Sequence, residues 1–387
     1  MTQSGKRRTY ISLFSSAGVG CYGFKMSGFD CIATNEFLAP RIEIQKVNNK
    51  CKYDSGYICG DITLEETQAK IFSEITKWRM NENLGRVDTV IASPPCQGMS
   101  SANCFKNEND HKRNSLVVEA IKLINAINPK TFVIENVRAF MKTPCTDIDG
   151  EERTIHDAIF RTLGENYDIY YEIINFKDYG VPSSRPRTIT IGVSKEIGIN
   201  PYDLFPSKQN EITLRQAIGN FKSLEYGEKD ENDFLHFARK FPERQLDWIK
   251  DLKEGESAFD NPIYENRPWH INNNGEREIN ACADRKGKYT RMYWDKVAPC
   301  ILTRSDNMSG QNTLHPQDNR VLSIRELMTL MTIPNEFKWT KDDDNITPIN
   351  STQYLKKNEL NIRRCIGESI PTHILNDIAN KIDVMIP

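Results

Sequence analysis

The sequence lacks the marks of several protein classes. No apolar run approaches the ~20 residues that a membrane-spanning helix needs, so no membrane partner is expected. Its ten cysteines are scattered and include no Cys-x-x-Cys pair, which argues against a structural zinc site or a disulfide scaffold. No secretory leader precedes them, since Met1 to Thr9 is polar and basic, and a reducing, cytoplasmic compartment is expected. Repeats and low-complexity tracts are absent. A net charge of −2 gives no global signal for nucleic acid, so any such binding must rest on a local basic face. What remains is a chain of 387 residues, 38% hydrophobic and 27% charged, long enough for one large domain or two unequal ones.

The chain is organised around Ser93-Pro94-Pro95-Cys96-Gln97-Gly98-Met99-Ser100. Before it, Val87 to Ala92 is a short β-branched run that reads as a buried strand ending at the prolines. Cys96 thus lies past a strand's carboxyl end, where open α/β sheets gather ligands and catalytic groups. Alone, the motif fits a buried cysteine in a stiff turn equally well. Thr131 to Ile134 is a second such strand and ends at Glu135-Asn136-Val137, so a thiol and a carboxyl share one rim. A partly desolvated carboxyl there can hold a proton to donate to a ring nitrogen; a surface glutamate in a loop is the competing account. Between the two strands, Ser101 to Asn114 is polar and aperiodic, the pattern of an active-site lid. Leu116 then opens a helical stripe that Pro129 ends.

Upstream, a strand from Thr9 to Phe14, the small-residue turn Ser15 to Gly20 and a helix through Met26 form a first βα unit, in which small residues let backbone approach a cofactor. The next strand ends at Asn35-Glu36-Phe37, placing a carboxylate where doubly wound folds bind a ribose. Asp61 lies past another strand end, ahead of a helix expected to be capped by Thr63 to Glu66. Further on, two strands flank Asp178 to Arg187. Arg185 and Arg187 at the second strand's start are expected to face opposite ways, one toward a phosphate or carboxylate and one toward a base.

From Ile199 the sheet periodicity fades, with helical patches only at Phe234 to Phe241 and Gln245 to Leu252. Between Asp284 and Arg320, seven Lys or Arg stand against four Asp, interleaved with Tyr289, Tyr293 and Trp294, a composition suited to a nucleic-acid face. Ser323 opens a helix that Pro334 closes, and a last amphipathic helix carrying Ile374, Leu375, Ile378 and Ile382 should pack back on the first domain. The expected fold class is α/β, a doubly wound, mostly parallel sheet with a second, smaller domain. Its expected bounds are 1–198 for catalysis and cofactor, 199–355 for target recognition, and 356–387 for a segment returning to the first domain.

Taken together and in order, these stretches resemble the DNA (cytosine-5) methyltransferase family of bacteria and phages. The resemblance implies an S-adenosylmethionine-dependent Rossmann-like fold. Its cofactor contacts would be Phe14, Ser16, Ala17 and Gly18 in the loop, Glu36 with Phe37, Asp61 with Ile62, Pro95, Leu116, and Glu368 with Ile370 in the last motif. It implies Cys96 as nucleophile, Glu135 as the group at N3 of the base, Arg187 on the exocyclic oxygen and Arg185 in support. Double-stranded DNA is the implied substrate and a cognate restriction endonuclease a functional partner of a monomeric enzyme. Ser16 and Val19 stand where the family usually has glycine, Ser183 where it has glutamine, and Glu368 where it has asparagine. Two alternatives stay open: a tRNA cytosine-5 methyltransferase of the same architecture, and a catalytically silent DNA-binding relative.

Overall fold

The computed structural model of the chain describes residues 7–95, 115–280, 287–347 and 349–387. Short β-branched runs bounded by turns build its first part. Strand β1 (Thr9–Leu13) leads through the small-residue turn to helix α1 (Tyr22–Met26), and then come β2 (Asp30–Glu36), α2 (Ala39–Val47), β3 (Tyr57–Cys59) and α3 (Glu65–Asn81). β4 (Thr89–Ala92) precedes α4 (Leu116–Ile127), which Asn128 ends in the left-handed conformation before β5 (Thr131–Val137). A hairpin of β6 (Pro144–Thr146) and β7 (Glu152–Thr154) runs into α5 (Ile155–Leu163), where the Thr154 hydroxyl accepts the Asp157 N–H as an N-cap. The long antiparallel pair β8 (Tyr167–Asn175) and β9 (Pro186–Ser194) completes the sheet.

Seven strands lie in the order β3-β2-β1-β4-β5-β9-β8, parallel from β3 to β5 and antiparallel across β5-β9-β8. The winding reverses between β1 and β4, so a crevice opens outside their carboxyl ends. Successive residues of the central strands feed opposite cores, as a sheet covered on both faces requires. Ile11, Val90 and Phe132 join Ile71, Trp78 and Ile121 of α3 and α4, while Tyr10, Ile91 and Val133 meet Ile374, Leu375, Ile378 and Ile382. Those last four belong to α10 (Thr372–Met385), which returns to the sheet as its apolar stripe implies.

Beyond residue 199 the elements are α6 (Leu214–Ile218), α7 (Arg244–Ile249), the hairpin β10 (Trp269–Ile271) and β11 (Arg277–Ile279), α8 (Ile324–Leu330) and α9 (Ser351–Glu368). Ser323 and Glu326 close a reciprocal capping box on α8. Phe234 to Phe241 is not helical, contrary to its pattern. There Leu235 and Phe237 are buried while the two ring nitrogens of His236 bond Ser323 Oγ (2.9 Å) and the Lys222 carbonyl (2.8 Å), so tertiary partners fix an irregular backbone. α9 went unread because Glu359 and Arg363, paired at 2.8 Å, occupy its inner face and interrupt the apolar stripe.

Candidate active site

The loop after β1 turns in a conformation that glycine favours. Phe14 and Ser16 have φ of 53° and 46°, and Gly18 has 78°. For the two non-glycine residues this costs roughly 1–2 kcal/mol each. Hydrogen bonds to Ser16 oppose that cost. Its N–H donates to Glu36 Oε2 (2.8 Å), its carbonyl accepts from Gln45 Nε2 (2.6 Å) and its hydroxyl accepts from Arg41 Nη1 (2.7 Å). Arg41 continues to Glu368, with Nη2 2.8 Å from Oε2. The loop and the end of α9 are therefore joined through α2.

Glu36 ends β2, and its Oε1 accepts the Leu38 N–H at 3.0 Å. Beside it Phe37 is 67% exposed, an uncovered aromatic next to a carboxylate. β2 pairs with β3 up to Glu36 and Cys59, and Asn35 Nδ2 donates to the carbonyls of Ile58 (3.2 Å) and Gly60 (3.1 Å), which brings Asp61 to the same rim. Asp61 Oδ1 accepts the N–H (3.0 Å) and hydroxyl (2.8 Å) of Thr63. The expected side-chain cap on α3 is consequently absent: Thr63 is turned toward Asp61, and Leu64 holds the cap position. The side chains of Ile62 and Ile370 enter the two cores, so only their backbone is left for a ligand, and Ala17 is likewise buried. Leu116, half-buried, opens α4.

The register Ala92–Ile134 between β4 and β5 sets the run Ser93-Pro94-Pro95 beside Glu135 and Asn136, and Asn136 Nδ2 donates to the Pro94 carbonyl at 2.9 Å. Pro95 ends this stretch of described residues, so Cys96 and the expected lid from Ser101 to Asn114 lie outside them. Glu135 sits within β5 rather than past its end, because β9 continues the pairing to Val137 and Arg187. Arg187 Nε is 3.2 Å from Glu135 Oε1. Buried Arg185 donates to the carbonyls of Ile301 (3.2 Å) and Gly367 (3.1 Å), and its Nε finds no partner among the described residues.

The two arginines do not face opposite ways as expected. Residues two apart in extended chain share a side, and both charges act on Glu135 and on each other. Burial raises the Glu135 carboxyl above its ordinary range, and Arg187, then Arg185, only partly oppose it. Burial lowers Arg185, and the neighbouring Arg187 charge lowers it further. The arrangement sets a buried carboxyl of raised proton affinity beside two cations. It can donate a proton to a base nitrogen and bind an adjacent oxygen.

The basic stretch before Arg320 is less of a surface than its composition implied. Arg291 is buried and donates to the carbonyls of His315, Gln317, Asp318 and Ile249, and Arg320 is buried between Asp318 and Glu326. Asp284 to Lys286 lie outside the described residues. Sequence reading missed Arg41 and Gln45, polar residues one helical turn apart on the inner face of α2. Their four-residue spacing behind Pro40 was the available signal.

Among the described residues no helix is long and apolar enough to cross a membrane, and no group of His, Cys, Asp or Glu is placed to hold a metal. The family model for C-5 cytosine-specific DNA methylase matches residues 8–383. The chain is 34% identical over 385 residues to type II methyltransferase M1.HgaI of Avibacterium volantium, covering 96% of this chain and 97% of that one. It is 29% identical over 332 residues to type II methyltransferase M1.HphI of Haemophilus parahaemolyticus, with 85% and 78% covered. In fold it is similar to the crystal structure of an E. coli prophage protein provisionally assigned as a DNA modification methyltransferase, with a TM-score of 0.64, 18% identity, and 98% and 99% of the two chains covered. The chain belongs to the C-5 cytosine-specific DNA methylases and is a DNA (cytosine-5) methyltransferase.

Proposed function

We propose that this enzyme methylates C5 of a cytosine flipped out of a specific short sequence in double-stranded DNA, with S-adenosylmethionine as donor and a covalent Cys96–C6 bond in the intermediate. The observation that carries the proposal is Glu135, a buried carboxyl with raised proton affinity, paired with Arg187 on the rim where Pro94 and Pro95 precede Cys96. C5 of cytosine is a poor nucleophile. Adding the Cys96 thiolate to C6 while Glu135 gives a proton to N3 turns the ring into an enamine with electron density at C5. Arg187 binds the exocyclic oxygen, and Arg185 supports it from behind. Once C5 has taken the methyl group, passage of the C5 proton to solvent, return of the N3 proton to the Glu135 carboxylate and departure of the Cys96 sulfur as thiolate restore aromaticity. A free thiol has a pKa of about 8.5, so local positive charge or proton transfer on substrate binding must raise the thiolate fraction. A paired base cannot be reached inside the duplex, and its rotation outward costs a few kcal/mol.

The residues at the crevice suit the donor. Glu36, Asp61 and Glu368 are carboxylates fit for a cationic sulfonium and for hydroxyls, exposed Phe37 offers a ring for stacking, and the left-handed loop at Phe14, Ser16 and Gly18 presents backbone; Ala17, Ile62, Pro95, Leu116 and Ile370 are assigned to the walls of the site, with Ile62 and Ile370 contributing backbone. S-adenosylmethionine, when bound, supplies an electrophilic methyl group. We assign residues 199–355 to target recognition, supported by a separate small core of Trp248, Phe259, Tyr289, Met308, Leu314 and Val321, and residues 1–198 with 356–387 to catalysis and cofactor. The type II designation of the relatives supports a restriction endonuclease of matching specificity as functional partner, and we take the enzyme to act as a monomer in the cytoplasm.

The test is transfer of labelled methyl from S-adenosylmethionine to duplex DNA and to tRNA in parallel, with Cys96→Ala as control and mapping of modified cytosines. Cysteine-dependent label at one short recurring DNA site is expected, with cofactor binding near normal in Cys96→Ala. Label in tRNA alone, or in DNA without Cys96, would overturn the proposal.

A further inference from the structure

Arg41 belongs to no motif, yet its side chain bridges two of the segments assigned to the cofactor. Its guanidinium is almost wholly buried, with the side chain 4% exposed, and it leaves α2 in two directions: Nη1 to Ser16 Oγ at 2.7 Å and Nη2 to Glu368 Oε2 at 2.8 Å. A buried cation needs a counter-charge, and Glu368, 39% exposed at the end of α9, is its partner. Ser16 in turn needs restraint, since its φ of 46° is one that serine rarely adopts. These two positions are also among those where the chain departs from its family's usual residues. A glycine would take the Ser16 conformation without help, and an asparagine in place of Glu368 would leave Arg41 buried without a counter-charge.

We infer that Arg41 is a positioning residue for the donor: with Ser16 and Glu368 it forms a strut that fixes the loop after β1 and the end of α9 at the separation S-adenosylmethionine requires. The inference rests on the proposed donor site. A fixed cleft binds its ligand without the entropic cost of ordering its walls, so the strut acts on cofactor affinity and leaves the chemical step alone. Charge neutrality is part of the device. Glu368 cancels the Arg41 charge, which otherwise would repel a sulfonium from within the site.

Binding of S-adenosylmethionine to the full chain by calorimetry, with single-turnover kinetics at saturating cofactor, tests this. Arg41→Gln should weaken cofactor binding at least tenfold and raise its KM in proportion, while the single-turnover rate at saturation and the affinity for duplex DNA stay within twofold. Glu368→Gln should give a loss of similar size, and the double variant should lose no more than the worse single one, because the strut is broken once. Unchanged cofactor affinity in folded Arg41→Gln, or losses that multiply in the double variant, would overturn the strut. Should Arg41→Gln fail to fold, the half-exposed Glu368→Gln decides alone, and affinity within twofold of the parent would overturn it. No cofactor binding by the unaltered chain would instead sink the donor assignment, and the strut with it.

Discussion

Arg187 Nε lies 3.2 Å from Glu135 Oε1, and both side chains are largely shielded from water. Burial lifts the carboxyl above its ordinary range, and Arg187 is the larger of the two charges that pull it back. A carboxyl that donates to N3 must be protonated, so the rate governed by Glu135 is lost as pH rises through its raised pKa. In Arg187→Gln burial acts with less opposition, and Glu135 keeps its proton to higher pH. The basic limb of the single-turnover rate profile should therefore move upward in pH, while the rate at neutral pH falls at least tenfold because the partner that orients the carboxyl is gone. A basic limb that stays in place in Arg187→Gln would assign it to another group.

Arg185 serves the fold as much as the site. Its guanidinium donates to the carbonyls of Ile301 and Gly367 and to Cys300 Sγ, joining the start of β9 to the end of α9. Arg185→Met should leave the Gly367 carbonyl without this donor and the Ile301 carbonyl with only the weak Cys300 thiol, at about 1–3 kcal/mol for a buried group left unpaired. A fall of about 2–4 kcal/mol in unfolding free energy by urea titration is expected. A change below about 0.5 kcal/mol, within the range of ordinary surface substitutions, would show that the carbonyls find other donors.

The strands around the crevice were legible because they are buried on both faces. Val90-Ile91-Ala92 and Phe132-Val133-Ile134 read as continuous apolar runs, and the site begins where each run ends. Glu36 was found the same way, by its place at the end of β2. The residues that escaped are polar and internal. Arg41 and Gln45 face the loop from α2, and Glu359 with Arg363 sits inside α9, so hydrophobic periodicity counted them as solvent-facing. The basic run before Arg320 misled for the same reason, since composition does not separate a cation that meets DNA from Arg291 with four carbonyls around it. That Arg185, just before β9, and Arg187 within it share a side was available from the parity of extended chain alone.

His315 couples this buried network to pH. Its Nδ1 accepts the Asp318 N–H at 2.8 Å, so the ring is held neutral, and burial, helped by the Arg320 charge, lowers it to about 4. Below pH ~6.5 the unfolded chain takes up a proton that the native chain refuses, so stability falls with pH from there to about 4, by about 3 kcal/mol in all. Burial alone would raise Glu326, but Arg320 at 2.7 Å outweighs it and holds the carboxyl at about 2, which extends the acid loss below pH ~4.5. His315→Gln should remove the upper window and leave the lower one. Urea midpoints at stepped pH check this, and an unchanged slope between pH ~6.5 and ~4 would place the proton uptake elsewhere.

Gly367 carries the tightest link between packing and site. A Cβ there would stand 2.4 Å from the Thr303 nitrogen and 2.5 Å from the Leu302 carbonyl carbon, both backbone atoms that cannot turn aside. In Gly367→Ala the end of α9 must withdraw. The Gly367 carbonyl holds Arg185, and the next residue, Glu368, holds Arg41, so one methyl group disturbs both arginines. Helix propensity favours alanine by about 1 kcal/mol, yet overpacking of this kind costs about 1–3 kcal/mol. The variant should therefore melt no higher than the parent while its KM for S-adenosylmethionine rises severalfold. Gly28→Ala is the control: its φ of 81° strains any side chain, but nothing lies within 4 Å of its Cβ, so it should lose about 1 kcal/mol and keep its KM. Equal KM values for the two variants would mean that the end of α9 can shift without consequence for the cofactor.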